Sequence, residues 1–493
     1  MLYKSVFRYF KNKIFQVILL SIVMMVSAFI FVVMSYSLQA LKEPANALFE
    51  DYNQEDFNVT MLEQITAFDI ENIPFDLSRY QTIDQLYHQD PLMFDLLIEQ
   101  RIQAFQTRFN HTELEPRLYK DLYLNFNDEQ HFLRILKDAK HINQSYIIKG
   151  DKPVEAHEIA LNSVYAEENS LNIGDTIDIL GLQYDITGFV FFPDYSLALF
   201  NHEFIINNQR RSLALFSDQA FDDLKQPLNV YLSGVFTDNP ISQQNLNQHD
   251  ISFILYILLT EHTLRSGAIY DEIAGAEAIS LIISIVIATL GVMIVSMMVS
   301  RMLFEQRGAI GILLALGYKK REMALPYMVF VFLISLPGLL LGYAIGYLLS
   351  PALTKLYASI YLLPTKDISQ QPMIFMMSIL IPLLILMVLG YLVVMRLLKK
   401  EPITLLKPAI TQPKQEKRWF SKLFKKLSLL TRVKHAYMLR HKRRVIIFFI
   451  GIFTSSFLIL TAFSMTDILD KMFNNYYDSV DYRYIAYCKE DTV

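Results

Sequence analysis

One cysteine, Cys488, stands in a chain of 493 residues. That excludes an intramolecular disulfide framework and any cysteine-rich metal centre, so each folded part must be held by its own apolar core. The chain has no Gly-x-x-x-x-Gly-Lys-Ser/Thr loop to cradle nucleotide phosphates in that way. It has no Gly-x-Ser-x-Gly nucleophile signature, and no His, Asp and Glu spacing that resembles a metal site. No catalytic residue and no metal ligand can be nominated. The expectation is a non-enzyme that carries no cofactor of its own and binds no nucleic acid.

Charge is missing from long stretches. Hydrophobic residues make up 53% of the chain and mean hydropathy is +0.28, too apolar for an ordinary soluble enzyme and too charged for a pure membrane bundle. Five charge-free runs are long enough to cross a hydrocarbon layer, which takes ~20 residues of helix: Ile14–Met34, Ile279–Ser300, Leu325–Leu349, Met373–Met395 and Val445–Met465. The first exceeds the apolar core of a signal peptide and is followed by no small-x-small cleavage site, so it reads as a retained span.

Orientation follows from the basic residues. Lys4, Arg8, Lys11 and Lys13 precede the first span; Arg301, Arg307, Lys319, Lys320 and Arg321 lie between the second and third; sixteen basic residues against Glu401 and Glu416 fill 396–444. The N-terminus is expected in the cytoplasm and 35–278 outside. Within 38–277 there are 38 acidic and 15 basic residues. A solubilising surface accounts for that excess, which could also attract cationic peptides. The basic side suits topogenesis and contact with the anionic lipid bilayer.

The expected fold is an α-helical transmembrane bundle with an α+β domain inserted between the first and second spans. Its parts are a basic segment (1–13), a span (14–34), the inserted domain (35–278), a span (279–300), an elbow (301–324) and a span (325–349). A short loop (350–372), a span (373–395), a basic linker (396–444), a fifth span (445–465) and a further exterior segment (466–493) complete it. Residues 78–140 read as helical, including Leu92–Leu97 and Phe132–Leu136. Glu158–Leu161 reads as a strand, and Leu171–Ile179 and Tyr184–Val190 as strands with antiparallel pairing. Gly174, Asp175 and Gly188 are turn residues, Gly174 for its permissive φ and Asp175 for an Asx hydrogen bond.

The most specific segment follows the second span. Glu305-x-Arg307-Gly308-x-Ile310-Gly311-x-x-Leu314-Ala315-Leu316-Gly317-Tyr318 reads as a continuation of the spanning helix, then a short amphipathic helix ended by Gly317. An amphipathic, basic elbow could simply lie at the membrane interface. This run resembles the signature of MacB/FtsX-type ABC-transporter permeases. Further likenesses are Glu158-Ile-Ala-Leu, Leu171-x-Ile-Gly174-Asp175 and Ile186-Thr-Gly188 in the inserted domain, and Arg396-Leu-Leu-Lys-Lys-Glu401-Pro402 after the fourth span. The resemblance covers roughly 1–408.

The resemblance implies a MacB-like exterior domain and a coupling helix that docks in a groove of an ABC ATPase. Glu305 and Arg307 would make charged contacts there, Ile310 and Leu314 would fill the groove, and Gly308, Gly311, Ala315, Gly317 and Tyr318 complete the coupling set. ATP and Mg would sit on a dimer of that ATPase, and a second permease chain or half would complete the assembly in a bacterial plasma membrane. The implied activity is mechanotransmission: ATP hydrolysis moves the exterior domain, for export or extraction of a peptide, drug or lipid-like substrate. The alternative is a receptor, sensor or cell-wall-hydrolase regulator that transports nothing.

Gly338, Gly342 and Gly346 form two overlapping G-x-x-x-G spacings, whose physical use is close helix packing, within the bundle or between permeases. Pro337 and Pro382 are expected to kink their helices. Lys434–Arg444 before the fifth span echoes Lys4–Lys13 before the first, and Asp467, Asp470 and Tyr482–Tyr487 look like the start of a second copy. The expectation is a partial chain, or one ending in an incomplete repeat.

Overall fold

The computed structural model describes residues 13–399, apart from Phe75, Ser78 and 201–205, together with positions 8 and 11 and scattered positions from 445 to 471. The described positions of the expected fifth span are helical. Most of the basic linker, the end of the chain, the second half of the sequence echo and most of the first lie outside the described residues.

In chain order, helix α1 (Ile14–Asp51) leads to strand β1 (Phe57–Met61), helices α2 (Ala67–Asn72), α3 (Ile83–Gln89) and α4 (Pro91–Arg108), and the hairpin β2 (Thr112–Phe126) and β3 (Glu129–Leu136). There follow β4 (Tyr146–Gly150), β5 (Glu158–Asn162), α5 (Ser163–Glu168), β6 (Thr176–Ile179), β7 (Leu182–Phe191), β8 (Arg211–Phe216), α6 (Asp218–Asp223), β9 (Leu228–Phe236), α7 (Gln243–Leu246) and β10 (Ile254–Leu259). The rest is helical: α8 (Leu264–Glu305), α9 (Arg307–Ala315), α10 (Lys320–Ile360), α11 (Pro372–Phe375), a π-turn at Met376–Leu380 and α12 (Ile381–Leu398). The chain forms two compact units, a helical one of 1–29, 283–343 and 375–493, and a sheet unit of 30–282 and 344–374.

Four helical stretches, Ile14–Asp51, Leu264–Glu305, Lys320–Ile360 and Pro372–Leu398, are long and apolar enough to cross a membrane. This is a multi-pass membrane protein. Three of these helices outrun their apolar runs: α1 continues well past Met34, and α8 begins at Leu264 rather than near Ile279. At 1.5 Å per residue the 42 residues of α8 extend about 63 Å, twice a hydrocarbon layer of ~30 Å. In the helical unit Leu20, Met24, Val299, Tyr327, Val331 and Val394 belong to one buried cluster. Pro382 follows the π-turn, where a widened backbone can relieve the clash between a proline ring and the preceding turn.

The sheet runs β10-β1-β9-β2-β3-β8-β5-β7-β4, with β6 on β7. It is mixed rather than antiparallel, since β3–β8 and β5–β7 are parallel. The helical expectation for 78–140 holds over α3 and α4 only. Phe132–Leu136 is strand because it is buried on both faces: Leu133 and Ile135 enter one core, Phe132 and Leu136 the other. A run apolar on both sides does not alternate, so periodicity cannot separate it from a buried helix. Glu158–Leu161 lies in β5 and Tyr184–Val190 in β7.

Gly174 has φ +94° with open space around it, so conformation alone demands the glycine. The Asp175 carboxylate accepts from the Asn172 N–H at 2.7 Å. Gly188 differs: a Cβ there would stand 2.5 Å from the Asp151 carbonyl oxygen, so β7 needs its smallness for close backbone approach.

Candidate coupling elbow

Helix α8 ends at Glu305 and the chain bends at Gln306, whose φ of −95° and ψ of 5° precede α9. The bend is pinned: the buried Tyr327 hydroxyl of α10 donates to Gln306 Oε1 at 2.7 Å. Arg301 Nε donates to Glu305 at 3.0 Å one turn along α8, and the Arg307 guanidinium lies 4.7 Å from the centre of the Phe304 ring. The far end is closed by the two bonds of a Schellman motif, Tyr318 N–H to the Leu313 carbonyl at 3.2 Å and Gly317 N–H to that of Leu314 at 3.1 Å. Gly317 has φ +90°, which a left-handed helix cap requires.

The faces of α9 are distributed differently from the sequence expectation. Ile310 is fully buried and belongs to the apolar cluster of the helical unit, and Gly311 is buried beside it. Ile310 therefore cannot fill a partner's groove while the unit stays packed, and Leu314 is half-buried against the same cluster. The outward apolar groups are Ile312, 54% exposed, and Leu316, 71% exposed. With Glu305 and Ala309 they make an outward stripe at helical spacing. Ala315, Tyr318, Lys319, Lys320 and Arg321 are exposed beside it. Gly308 has nothing within 4 Å of where a Cβ would stand. Nothing among the described residues uses its smallness, although glycine inside a helix costs about 1 kcal/mol relative to alanine.

The glycines of α10 have a partner within the unit. A Cβ on Gly338 would stand 2.3 Å from the Ser21 carbonyl oxygen of α1, and one on Gly342 2.3 Å from that of Met25. Two glycines four apart thus meet two carbonyls four apart, the close backbone contact that G-x-x-x-G permits. This spacing seals α10 onto α1. Gly346 is buried in the other unit.

A second set of residues escaped the sequence reading, at the roots of the long helices in the sheet unit. Glu55, four residues beyond α1, pairs with Arg265 in the first turn of α8 at 2.8 Å. Its other oxygen accepts from Asn143 at 2.9 Å and Ser233 at 2.6 Å. Burial pushes the Glu55 carboxyl upward against the pull of Arg265. Asp194 takes a bidentate bond from Arg117, at 3.1 and 3.0 Å, and one from Tyr231 at 2.7 Å. The buried segment around Asp194 then reaches the helices through its backbone. Ser196 and Leu197 donate to the Arg265 carbonyl at 2.7 and 2.9 Å, and Leu362, between α10 and α11, donates to Ser196 at 2.8 Å. Asn208 caps α10, donating to the carbonyls of Ser359 and Ile360 at 2.8 and 2.9 Å. These partners lie up to 210 residues apart, and only an unexplained polar residue inside an apolar stretch, such as Asp194 after Phe191-Phe192-Pro193, hints at them.

Residues 281–402, from within α8 to just past α12, match the family model described as FtsX-like permease C-terminal. None of the curated proteins matches the chain.

Proposed function

From the premise that 281–402 is an FtsX-like permease domain in a multi-pass membrane protein, we propose that this chain is the permease subunit of a MacB/FtsX-type ABC transporter. Permeases of the FtsX-like family generally work with an ABC ATPase. Here that separate subunit would bind ATP and Mg and hydrolyse the nucleotide, and this chain would convert its movement into displacement of the sheet unit. The charge placement supports a cytoplasmic N-terminus and α9, with the sheet unit outside. A substrate acted on from outside, whether peptide, drug or lipid-like, fits spans that hold no charged residue, because ion and proton pathways usually carry ionisable groups.

The observation that carries the reading is the outward stripe of α9. Ile312 and Leu316 are exposed while the opposite side of the same helix is locked into the bundle. The ATPase groove would take Ile312 and Leu316, Gly308 would let it approach closely, and Glu305, Arg307 and Lys319 would supply charged contacts at the rim. Force would pass along α8, an unbroken helix from Leu264 to Glu305, whose backbone bonds are satisfied internally. The buried Glu55–Arg265 pair ties the other end of that helix to the sheet unit.

The test is co-purification of the full chain with an ABC ATPase, followed by its ATP turnover in nanodiscs. Ile312→Asp with Leu316→Asp is expected to abolish association without lowering the melting temperature of the permease. Retained association would overturn the docking face. If no ATPase associates with the unaltered chain, the receptor or hydrolase-regulator reading replaces transport.

A further inference from the structure

The sheet has a gap where one strand stops short. β3 pairs with β2 from Tyr119↔Leu136 to Phe126↔Glu129, and with β8 up to Leu136↔Leu215. Past Leu136 the chain leaves the ladder after a last bond, Lys137 N–H to the Leu118 carbonyl at 3.1 Å. β2 runs on to Thr112 paired on one side only, with β9. Where β3 would continue there is a cleft of about 1370 Å³, lined by Glu113–Pro116 and Leu118 on one side and Phe216–Gln219 on the other, with Phe94 and Gln106 at its wall. The unpaired stretch of β2 is about 20 Å long at ~3.3 Å per residue.

The backbone of β2 faces this cleft with identifiable groups. The His111 carbonyl accepts from Thr237 at the β9 side. The carbonyls of Thr112 and Leu118 accept from Gln106 Nε2 and the Lys137 N–H at the other side. Alternation along an antiparallel strand therefore turns the N–H and C=O of Leu114 and the C=O of Pro116 into the cleft. Pro116 removes one donor, which keeps this edge from a full ladder and leaves it rich in acceptors.

The side chains add a sign. Glu115 is occupied by the N–H groups of Lys140, His141 and Ile142 at 2.6, 2.8 and 2.8 Å. Lys152 pairs with Asp138, and Lys137 with Asp222. Asp95, Glu113 and Asp218 line the cleft exposed, with no ion pair among the described residues, against Lys140, the one lining lysine likewise without one.

We propose that this cleft binds an extended peptide segment carrying basic side chains, which adds as a strand against Leu114 and Pro116 in the place β3 vacates. Main-chain pairing would supply the grip and alternate side chains the selectivity, as in strand addition to other sheet edges. The site concerns the sheet unit alone and does not depend on which ATPase, if any, docks at α9.

The test uses the full chain in nanodiscs and a fluorescent decapeptide of alternating valine and lysine, read by anisotropy. Saturable binding is expected. It should weaken tenfold or more when the valine amides on one edge are N-methylated, which keeps the charge and removes the pairing edge. A similar loss is expected with Asp95→Asn plus Glu113→Gln, both at exposed positions, and none with Asp238→Asn. Equal binding of the N-methylated peptide would reduce the effect to charge attraction and overturn the proposal. So would an unaffected double variant with an unchanged melting temperature, or no saturable binding. ATP turnover is not read, so failure here leaves the permease reading standing.

Discussion

The two units solve the burial of polar groups in opposite ways. The sheet unit buries whole charges, each provided with partners: Arg101 with Asp69, Arg117 with Asp194, Arg265 with Glu55, and Lys120 against backbone carbonyls. Among the described residues of the helical unit the buried polar side chains are serines, Ser27, Ser284, Ser335 and Ser378, and contact is made by glycine against backbone. The difference reflects the medium. In water, apolar burial drives collapse and a paired charge can fix register within the core. In lipid, apolar surface gains nothing by leaving the hydrocarbon, so fit between backbones replaces it.

The contrast breaks most sharply at Arg101, which grips Asp69 at 2.9 and 2.7 Å and also holds the Leu62 and Gln64 carbonyls. Arg101→Met leaves a buried carboxylate alone and is expected to cost about 3–5 kcal/mol, read as a lower denaturation midpoint of the sheet unit. Burial pulls the Asp69 carboxyl up, but the bonds and charge of Arg101 outweigh it and hold it below the usual range. Its contribution is therefore complete above the unfolded value of ~4 and lost as pH falls through the lower folded value. Arg101→Met should remove that acid dependence.

In the helical unit the matching experiment compares neighbours on α9. Ile310→Ala opens a cavity and should cost about 2–5 kcal/mol, whereas Ile312→Ala should stay within about 0.5 kcal/mol in a melting assay of the detergent-solubilised chain. Equal losses would show that the outward stripe is packed after all.

Lys120 gives the comparison a pH axis. Its ammonium donates to the Phe221 and Leu224 carbonyls at 2.9 and 2.6 Å, and burial pushes it down to about 8. Between ~8 and the unfolded value of ~10.4 the unfolded chain holds a proton that the folded one has released. Stability from this group therefore rises with pH across that window, by up to about 3 kcal/mol. Lys120→Met should abolish the rise relative to the unaltered chain.

The smallest effects separate two uses of glycine. Gly338→Leu forces α1 and α10 apart, at about 1–3 kcal/mol. Gly174→Ala meets no atom but must hold φ +94°, at roughly 1 kcal/mol. A suppressor in α1 that shrinks Ser21 should not rescue Gly338→Leu, because the obstacle is the Ser21 carbonyl.

The spans were legible because length and lack of charge suffice to mark them. Their ends were not: residues such as Lys42-Glu43 and Asp271-Glu272 continue a helix into water while reading as loop. Gly317 announced the end of α9, since one residue type fits that conformation. Ile310 and Ile312 are chemically equivalent, so only packing decides which faces inward. Glu55, Asp194 and Arg265 meet through the fold alone, which is why the joint between sheet and helices stayed hidden. Strands β3 and β8 lie between two cores and lose the alternation that would have revealed them.

Leu362 and Leu363 are buried beside Phe192 and Tyr195, although some hundred and sixty residues of chain separate the two pairs. The sheet unit is therefore not a cassette that can be cut at two points. A chimera that exchanges 30–282 between related chains, while leaving 344–374 behind, would place a foreign plug in a fitted socket. Exchange of both stretches together is the smallest graft that keeps the socket and its plug matched.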